Sequence, residues 1–439
     1  MDVEAVRMLV PVRQPRARRW LLAVAGLLAW QLVAAVPATA LPGQLDPGFG
    51  RDGKVTTDFA GHAGANAAVV QDGRLVAAGF GMAGSSVDFA LARYRRDGTL
   101  DRTFGTGGKV TTDFAGSGEQ VTALVVQADG KLVAAGFTAT DSGGDFALAR
   151  YRRDGTLDPS FGTGGKVTTD FAGGADGAAA LVVQADGKLV AAGSATSGTG
   201  LDVALARYRR DGTLDPTFGT GGKVITDIAG GFDEARALVM QDGRLVVAGF
   251  TFTGEVASGD FALARYRNNG SLDPTFGTGG KVVTDIAGAF DEADALVVQD
   301  DTLVAGGTAF TGSTADFALA RYRHNGSLDP TFGTGGKVTT GFADVLGGDE
   351  LVNALVVRDG KLVAAGFAFT GSSFDFGLAR YRHNGALDAT FGAGGKVTTD
   401  FAGGEDRAET LVVRDGKLVA AGSTITASGG QKFALARYR

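Results

Sequence analysis

Apolar residues along this chain fall into short runs, and the runs come in sets of four. Between residues 109 and 152 they are Lys109–Phe114, Ala123–Gln127, Lys131–Phe137 and Asp145–Arg152. No run is a convincing helix. Val, Leu and Ala occupy both faces instead of alternating with polar residues, which predicts strands covered on both sides. The middle two runs predict a hairpin. Its turn is Ala128-Asp129-Gly130 in this set and Asp72-Gly73 in the set before it. Asp-Gly supplies the positive φ values that tight hairpins need. Asp300-Asp301 takes that place once, and Asp tolerates this region less readily than Gly.

The sets repeat. A phrase of the form Leu214-Asp-Pro-Thr-Phe-Gly-Thr-Gly-Gly-Lys-Val starts at Leu45, Leu100, Leu157, Leu214, Leu272, Leu328 and Leu387, with spacings of 55 to 59 residues. A fixed period of this size predicts a repeat architecture whose units cannot bury their apolar faces alone. A solenoid coil is usually shorter and needs capping units, yet the end units here are ordinary. Four-stranded blades packed face to face around an axis satisfy the pattern. The expected fold is therefore all-β: a seven-bladed β-propeller of four-stranded antiparallel blades. The order of runs predicts that residues 54–59 supply the outer strand missing from the last repeat, closing the ring beside residues 432–438.

The units Leu157-Asp-Pro-Ser-Phe-Gly-Thr-Gly-Gly-Lys-Val-Thr-Thr-Asp-Phe and Asp145-Phe-Ala-Leu-Ala-Arg-Tyr resemble the delta-60 repeat family of bacterial β-propellers. The resemblance covers residues 45–439. It implies a secreted or surface-associated protein, and it implies no established reaction.

Charge and composition narrow the setting. The formal net charge is −6 and there is no Cys. No basic face points to nucleic acid, and no disulfide framework is available. The amino terminus changes the picture more. Five Arg precede an uncharged apolar run from Trp20 to Val36, and Ala38-Thr39-Ala40 follows. This is the pattern of an export signal cleaved after Ala40. An uncleaved anchor is the alternative. The expected organisation is a signal peptide at 1–40 and one seven-repeat domain at 41–439. That domain would be secreted or surface-associated, monomeric, and without a membrane span after cleavage.

Candidate chemistry sits in columns. Tyr occurs seven times, always in Ala-Arg-Tyr-Arg phrases, from Tyr94 to Tyr438. The expectation is packing at the end of each third strand, with polar tips wet; cation–π recognition sites are the functional alternative. Asp46 and its six equivalents are expected to form Asx-type turns. Two further Asp columns, at the start of the third strand (Asp88 and equivalents) and the end of the outer strand (Asp58 and equivalents), should meet on one face. Calcium favours such clusters, but no calcium-loop phrase is present, so no cofactor is expected and calcium is the one ion the columns suit. Lys432 and Gly341 break the columns.

Departures from the repeat mark the candidate ligand site. Phe252, Phe310 and Phe369 occupy one set of variable loops. Phe232-Asp233-Glu234 and Phe290-Asp291-Glu292 occupy the other, followed by Gly348-Asp349-Glu350. Exposed aromatics beside carboxylates would form a ligand patch; Phe folded inward over the blade tops is the plainer expectation. Catalytic signals are absent: His324 and His383 read as turn residues, His62 stands alone, and the Gly-rich phrases precede strands. The leading expectation is a noncatalytic propeller that binds an extracellular protein or glycan, or serves as a scaffold. The alternative is a glycan hydrolase or lyase using acids among Asp233, Glu234, Asp291, Glu292, Asp349 and Glu350.

Overall fold

The doubly apolar runs all become strands. The structure, a computed structural model, describes residues 41–439 except 85, 115–117, 141, 142, 172, 199, 253–257, 313, 343–347 and 402. The export signal, with Ala38 and Ala40, lies outside the described residues. Among the described residues there are 28 strands and no helix, so none is long and apolar enough to cross a membrane.

Each repeat folds into one antiparallel blade. In the first, the inner strand Ala63–Gln71 pairs with Arg74–Ala83, which pairs with Ser86–Tyr94, which pairs with the outer strand Lys109–Thr112. The seventh blade takes its outer strand from the other end of the chain. Lys54–Thr57 pairs antiparallel with Gln431–Tyr438, Lys54 opposite Ala436 and Thr57 opposite Phe433. Leu45 adds a bridge to Tyr438, and the Gly43 N–H donates to the Arg439 carbonyl at 2.9 Å.

Apolar residues face both ways because every core is shared by two blades. Val76, Ala78 and Leu91 of the first blade pack against Leu132, Ala134 and Ala147 of the second. Val419, Ala421 and Leu435 of the seventh pack against Leu75, Ala77 and Ala90 of the first. All of these are fully buried, and each Val or Leu contributes roughly 1.5–3 kcal/mol.

One feature escaped the sequence pattern. Every inner strand carries a β-bulge at the same place, between Ala65 and Ala67 in the first blade and between Ala293 and Ala295 in the fifth. The inner strand of the second blade consequently runs Gly118–Val126, beginning before the expected Ala123. The extra residue breaks the two-residue alternation that would have marked its start. A glycine on the neighbouring strand makes room for it: a Cβ on Gly307 would lie 1.9 Å from the Glu292 carbonyl oxygen.

Candidate functional site

The constant residues of the repeat are used for structure. Arg93 Nε donates to Asp101 Oδ2 at 2.9 Å, and its guanidinium lies 4.6 Å from the Phe104 ring centre. Asp101 Oδ1 accepts from the Thr103 N–H at 3.2 Å, completing the expected Asx turn. Arg150, Arg207, Arg265, Arg321 and Arg380 stack in the same way on the Phe of the phrase that follows each, and Arg437 stacks on Phe49 from the first phrase. The cation–π pairs are thus internal and use Phe. Tyr94 and its six equivalents are fully buried, which corrects the expectation of wet phenol tips. Burial pushes their hydroxyls up, and in six of them a neighbouring Thr accepts from the hydroxyl, Tyr266 being the exception.

The variable residues converge elsewhere. The bulge turns one residue per inner strand out of register: Asn66, Thr122, Ala179, Arg236, Asp294, Asn353 and Glu409. Several reach the next inner strand. Asn66 Nδ2 donates to the Val121 carbonyl at 2.7 Å, and Asn353 Nδ2 donates to Glu409 Oε2 at 2.8 Å. In the fourth, fifth and seventh blades this level is charged. Arg236 pairs with Glu234 at 3.2 Å. Burial, then Glu292, Glu409 and Glu234, push the Asp294 carboxyl well above its ordinary value, against Arg236. Burial likewise raises Glu292 and Glu409. Acids from three blades thus share one poorly solvated space.

The Phe residues of the same sector form a connected group. Phe250 lies 5.5 Å from Phe252 and 5.8 Å from Phe290, and Phe290 lies 6.1 Å from Phe310. Phe232 meets Phe252 edge-on at 6.4 Å. Arg236 lies over Phe250 at 5.5 Å, tying the aromatic group to the acids. Phe252, Phe290 and Phe310 are half-buried, whereas Phe232 is 50% exposed. It is the one exposed aromatic among the described residues. Phe369 packs in a separate group with Phe374 at 5.6 Å, beside Arg407 over Phe374.

The candidate acids divide by burial. Glu234 and Glu292 are half-buried beside Arg236, but Asp233 and Asp291 are wholly buried. Their Oδ2 atoms accept from the Ile228 and Ile286 N–H groups, at 2.5 and 2.6 Å. Glu350 is buried on the Phe342 N–H in the same way, and Asp349 is exposed. The two Asp columns do meet, and the first acid of the next inner strand joins them. Five groups result: Asp88, Asp113 and Glu119; Asp145, Asp170 and Asp176; Asp202, Asp227 and Asp233; Asp260, Asp285 and Asp291; Asp375, Asp400 and Asp406. In each, one oxygen per residue lies within 4.8 Å of the other two. His324 and His383 sit exposed in turns, 3.5 and 3.6 Å from Asp242 and Asp300. Asp294, Arg236 and Glu409 were missed from the sequence, since a single polar residue inside an apolar run marks a bulge only once its partner strand is known.

A family model, "Domain of unknown function (DUF5122) beta-propeller", matches residues 71–104, 127–161, 184–218, 241–276, 299–332, 358–391 and 414–439. The chain belongs to this family. No curated protein matches it. Solved structures similar to it include the polysaccharide lyase Uly1, at TM-score 0.48 and 10% identity over 87% of this chain and 91% of that one. The β-propeller domain of the Trilobed protease from Pyrococcus furiosus has TM-score 0.46 and 10% identity, over 87% and 94%. Sqt1 from Chaetomium thermophilum bound to the N-terminus of the ribosomal protein L10 has TM-score 0.45 and 12% identity, over 88% and 98%.

Proposed function

We propose that this family member is a noncatalytic binding module, exported by its leader, that captures an extracellular protein on the sector built by the fourth and fifth blades. The observation that carries this is the exposed Phe232 ring standing on the connected group of Phe252, Phe290 and Phe310. Apolar area left open beside a charged, poorly solvated group favours a partner that brings both an apolar side chain and a cation. Glu234, Glu292 and Asp294 crowd around the single Arg236, and a further cation would relieve the repulsion that raises Glu292 and Asp294, so a Lys or Arg is the complementary group. Phe offers no hydroxyl or indole N–H to a sugar, which places a glycan second. Asp233 and Asp291, being buried, support the loops and do not touch the partner. The finer family resemblance, to the delta-60 repeat, belongs with this reading through its implied extracellular setting.

Arrays of secreted-protein peptides and of glycans test it. The expected result is binding to peptides that pair an aromatic or aliphatic residue with Lys or Arg, weakened at least tenfold by Phe232→Ser or Glu292→Gln. Binding confined to glycans, or peptide binding indifferent to both variants, refutes the protein-capture reading.

A further inference from the structure

The five groups of three carboxylates stand at five of the seven junctions between blades, and their geometry is that of a cation site. Each brings an acid from the start of a third strand, one from the end of the outer strand, and one from the first or second position of the next blade's inner strand. Three carboxylates so placed repel one another unless protonated or bridged by a cation. At the junction of the fourth and fifth blades, Asp291 is fully buried. Its Oδ2 accepts from two backbone N–H groups, while Oδ1 is buried with no hydrogen-bond partner. The residue opposite it on the neighbouring strand is Ala309, which offers no hydroxyl. A buried carboxylate oxygen left without a donor is costly, and a metal ion is the partner that a ring of further carboxylates would admit. Asp233 and Asp406 are wholly buried as well, but Thr251 and Thr424 stand opposite them with hydroxyls that serve as donors, so among these three the orphaned oxygen is specific to Asp291.

The two irregular junctions carry the same logic from the other side. Between the seventh and first blades, Lys432 stands where the others have the third-strand Asp, and Ala63 stands where they have the inner acid. The Lys432 ammonium lies 3.3 Å from Asp58, the one acid that remains. A positive charge belonging to the protein has entered, and two of the three negative charges have gone. Between the fifth and sixth blades, Gly341 replaces the outer-strand Asp, leaving Asp316 and Glu350. A Cβ on Gly341 would lie 3.4 Å from Asp316 Oδ1 and 3.9 Å from Glu350 Oε2, so an Asp there would restore the set.

Another lysine column does not offset the acids. Lys337 Nζ donates to the Asp285 backbone carbonyl at 2.9 Å, and Lys109 does the same to Asp58 at 3.0 Å. This contact recurs at the junction that has only one acid, so it follows the backbone and not the cluster.

We infer that the three-carboxylate junctions are calcium sites, each clamping one blade to the next. Calcium accepts six to eight oxygens in flexible geometry. Three carboxylates from three strands, with water on the exposed side of Asp285, suit it better than the strict octahedron of magnesium. Affinity is expected in the range of extracellular modules, roughly 0.1–1 mM.

Native mass spectrometry and thermal melting of the whole protein, with calcium and with EDTA, test this. The wild type should take up five calcium ions, one for each three-acid junction, and melt at a higher temperature with calcium than with EDTA. A variant combining Asp260→Lys with Asp291→Ala copies the chemistry found naturally at Lys432 and Ala63, so it should fold and bind one ion fewer. Gly341→Asp should bind one more. An unshifted melting temperature at millimolar calcium, or a stoichiometry that neither variant moves, overturns the assignment.

Discussion

The Tyr94 hydroxyl donates to Thr57 Oγ1 at 2.8 Å, joining the first blade to the strand that completes the seventh. The same bond runs from Tyr151 to Thr112, Tyr208 to Thr169, Tyr322 to Thr284, Tyr381 to Thr340 and Tyr438 to Thr399. Six of the seven blades are thereby tied to the outer strand of the one before; the buried Tyr266 hydroxyl of the fourth makes no such bond. Tyr94→Phe keeps the ring and removes one such bond, leaving the Thr57 hydroxyl buried. A loss of about 1 kcal/mol is expected in urea denaturation. A loss below about 0.3 kcal/mol would mean that this tie contributes nothing beyond packing.

Acid should weaken the ring in a defined window. Burial by itself would raise the Asp46 carboxyl, but Lys417, the Gly48 N–H and Arg437 outweigh it and hold the group at about 2. Asp101, Asp158, Asp215, Asp273, Asp329 and Asp388 are held low by equivalent partners. A folded pKa below the unfolded one stabilises above the unfolded value, near 3.9, and that stabilisation is lost as pH falls through the folded value. Denaturation midpoints measured from pH 5 to pH 2 should fall steeply below about pH 4 on this account. A midpoint unchanged at pH 2.5 would contradict it.

The bulge in the fifth blade depends on Gly307. A methyl group there would meet the Glu292 carbonyl at 1.9 Å, so Gly307→Ala must push the inner strand away. A cost of roughly 1–3 kcal/mol is expected from this overpacking. Displacing the strand should also disturb Glu292 and Asp294, so a peptide bound there should dissociate faster. Unchanged melting would show that the strand shifts freely.

Asp301 should be improvable. Its φ of 63° and that of Asp300, 45°, are left-handed, in a turn where other blades use Asp-Gly. Asp301→Gly should raise stability by up to about 1 kcal/mol by relieving that conformation. Destabilisation on calorimetry would indicate that the Asp301 side chain matters more, since the backbone carbonyl that accepts from Gln241 Nε2 at 2.8 Å survives the change.

Removing residues 41–60 should be far more damaging than its length suggests. It deletes the outer strand of the seventh blade, the fully buried Phe49, and Asp46 with its Arg437 and Lys417 partners. It also opens the edge of Gln431–Tyr438. Loss of the cooperative melting transition or aggregation is expected. A melting curve matching the intact protein would refute strand exchange as a source of stability.

The fold was legible in the sequence because seven copies state the same strand order and period. Lys54–Thr57 was assigned to the last blade from phase alone. The Asp columns were expected to meet, and although Asp233 and Asp291 stood among the ligand candidates, Glu119 and its equivalents were not read as a third member of the cluster. They lie past the outer-strand turn, where connections vary in length and no period fixes them. The axial group around Asp294 was illegible for a different reason. A bulge shifts which face a residue takes, and only the pairing of Ala293 and Ala295 with the neighbouring strand reveals it. Tyr tips were misjudged because burial there depends on the previous blade, which no pattern within one repeat describes.

The exchanged strand also sets the order of events in folding. Lys54–Thr57 finds its partners at Phe433–Ala436, close to the far end of the described chain, so the seventh blade cannot be finished until residues 433–436 have been made. The entropy of closing so long a loop rises only with its logarithm, but non-local pairing of this kind is slow. Blades one to six each take their four strands from consecutive sequence and can form locally, while the first strand waits. A chain cut short during synthesis would keep an unpaired strand at one end and an unpaired sheet edge at the other, and would be recognisably unfinished to a protease or a chaperone.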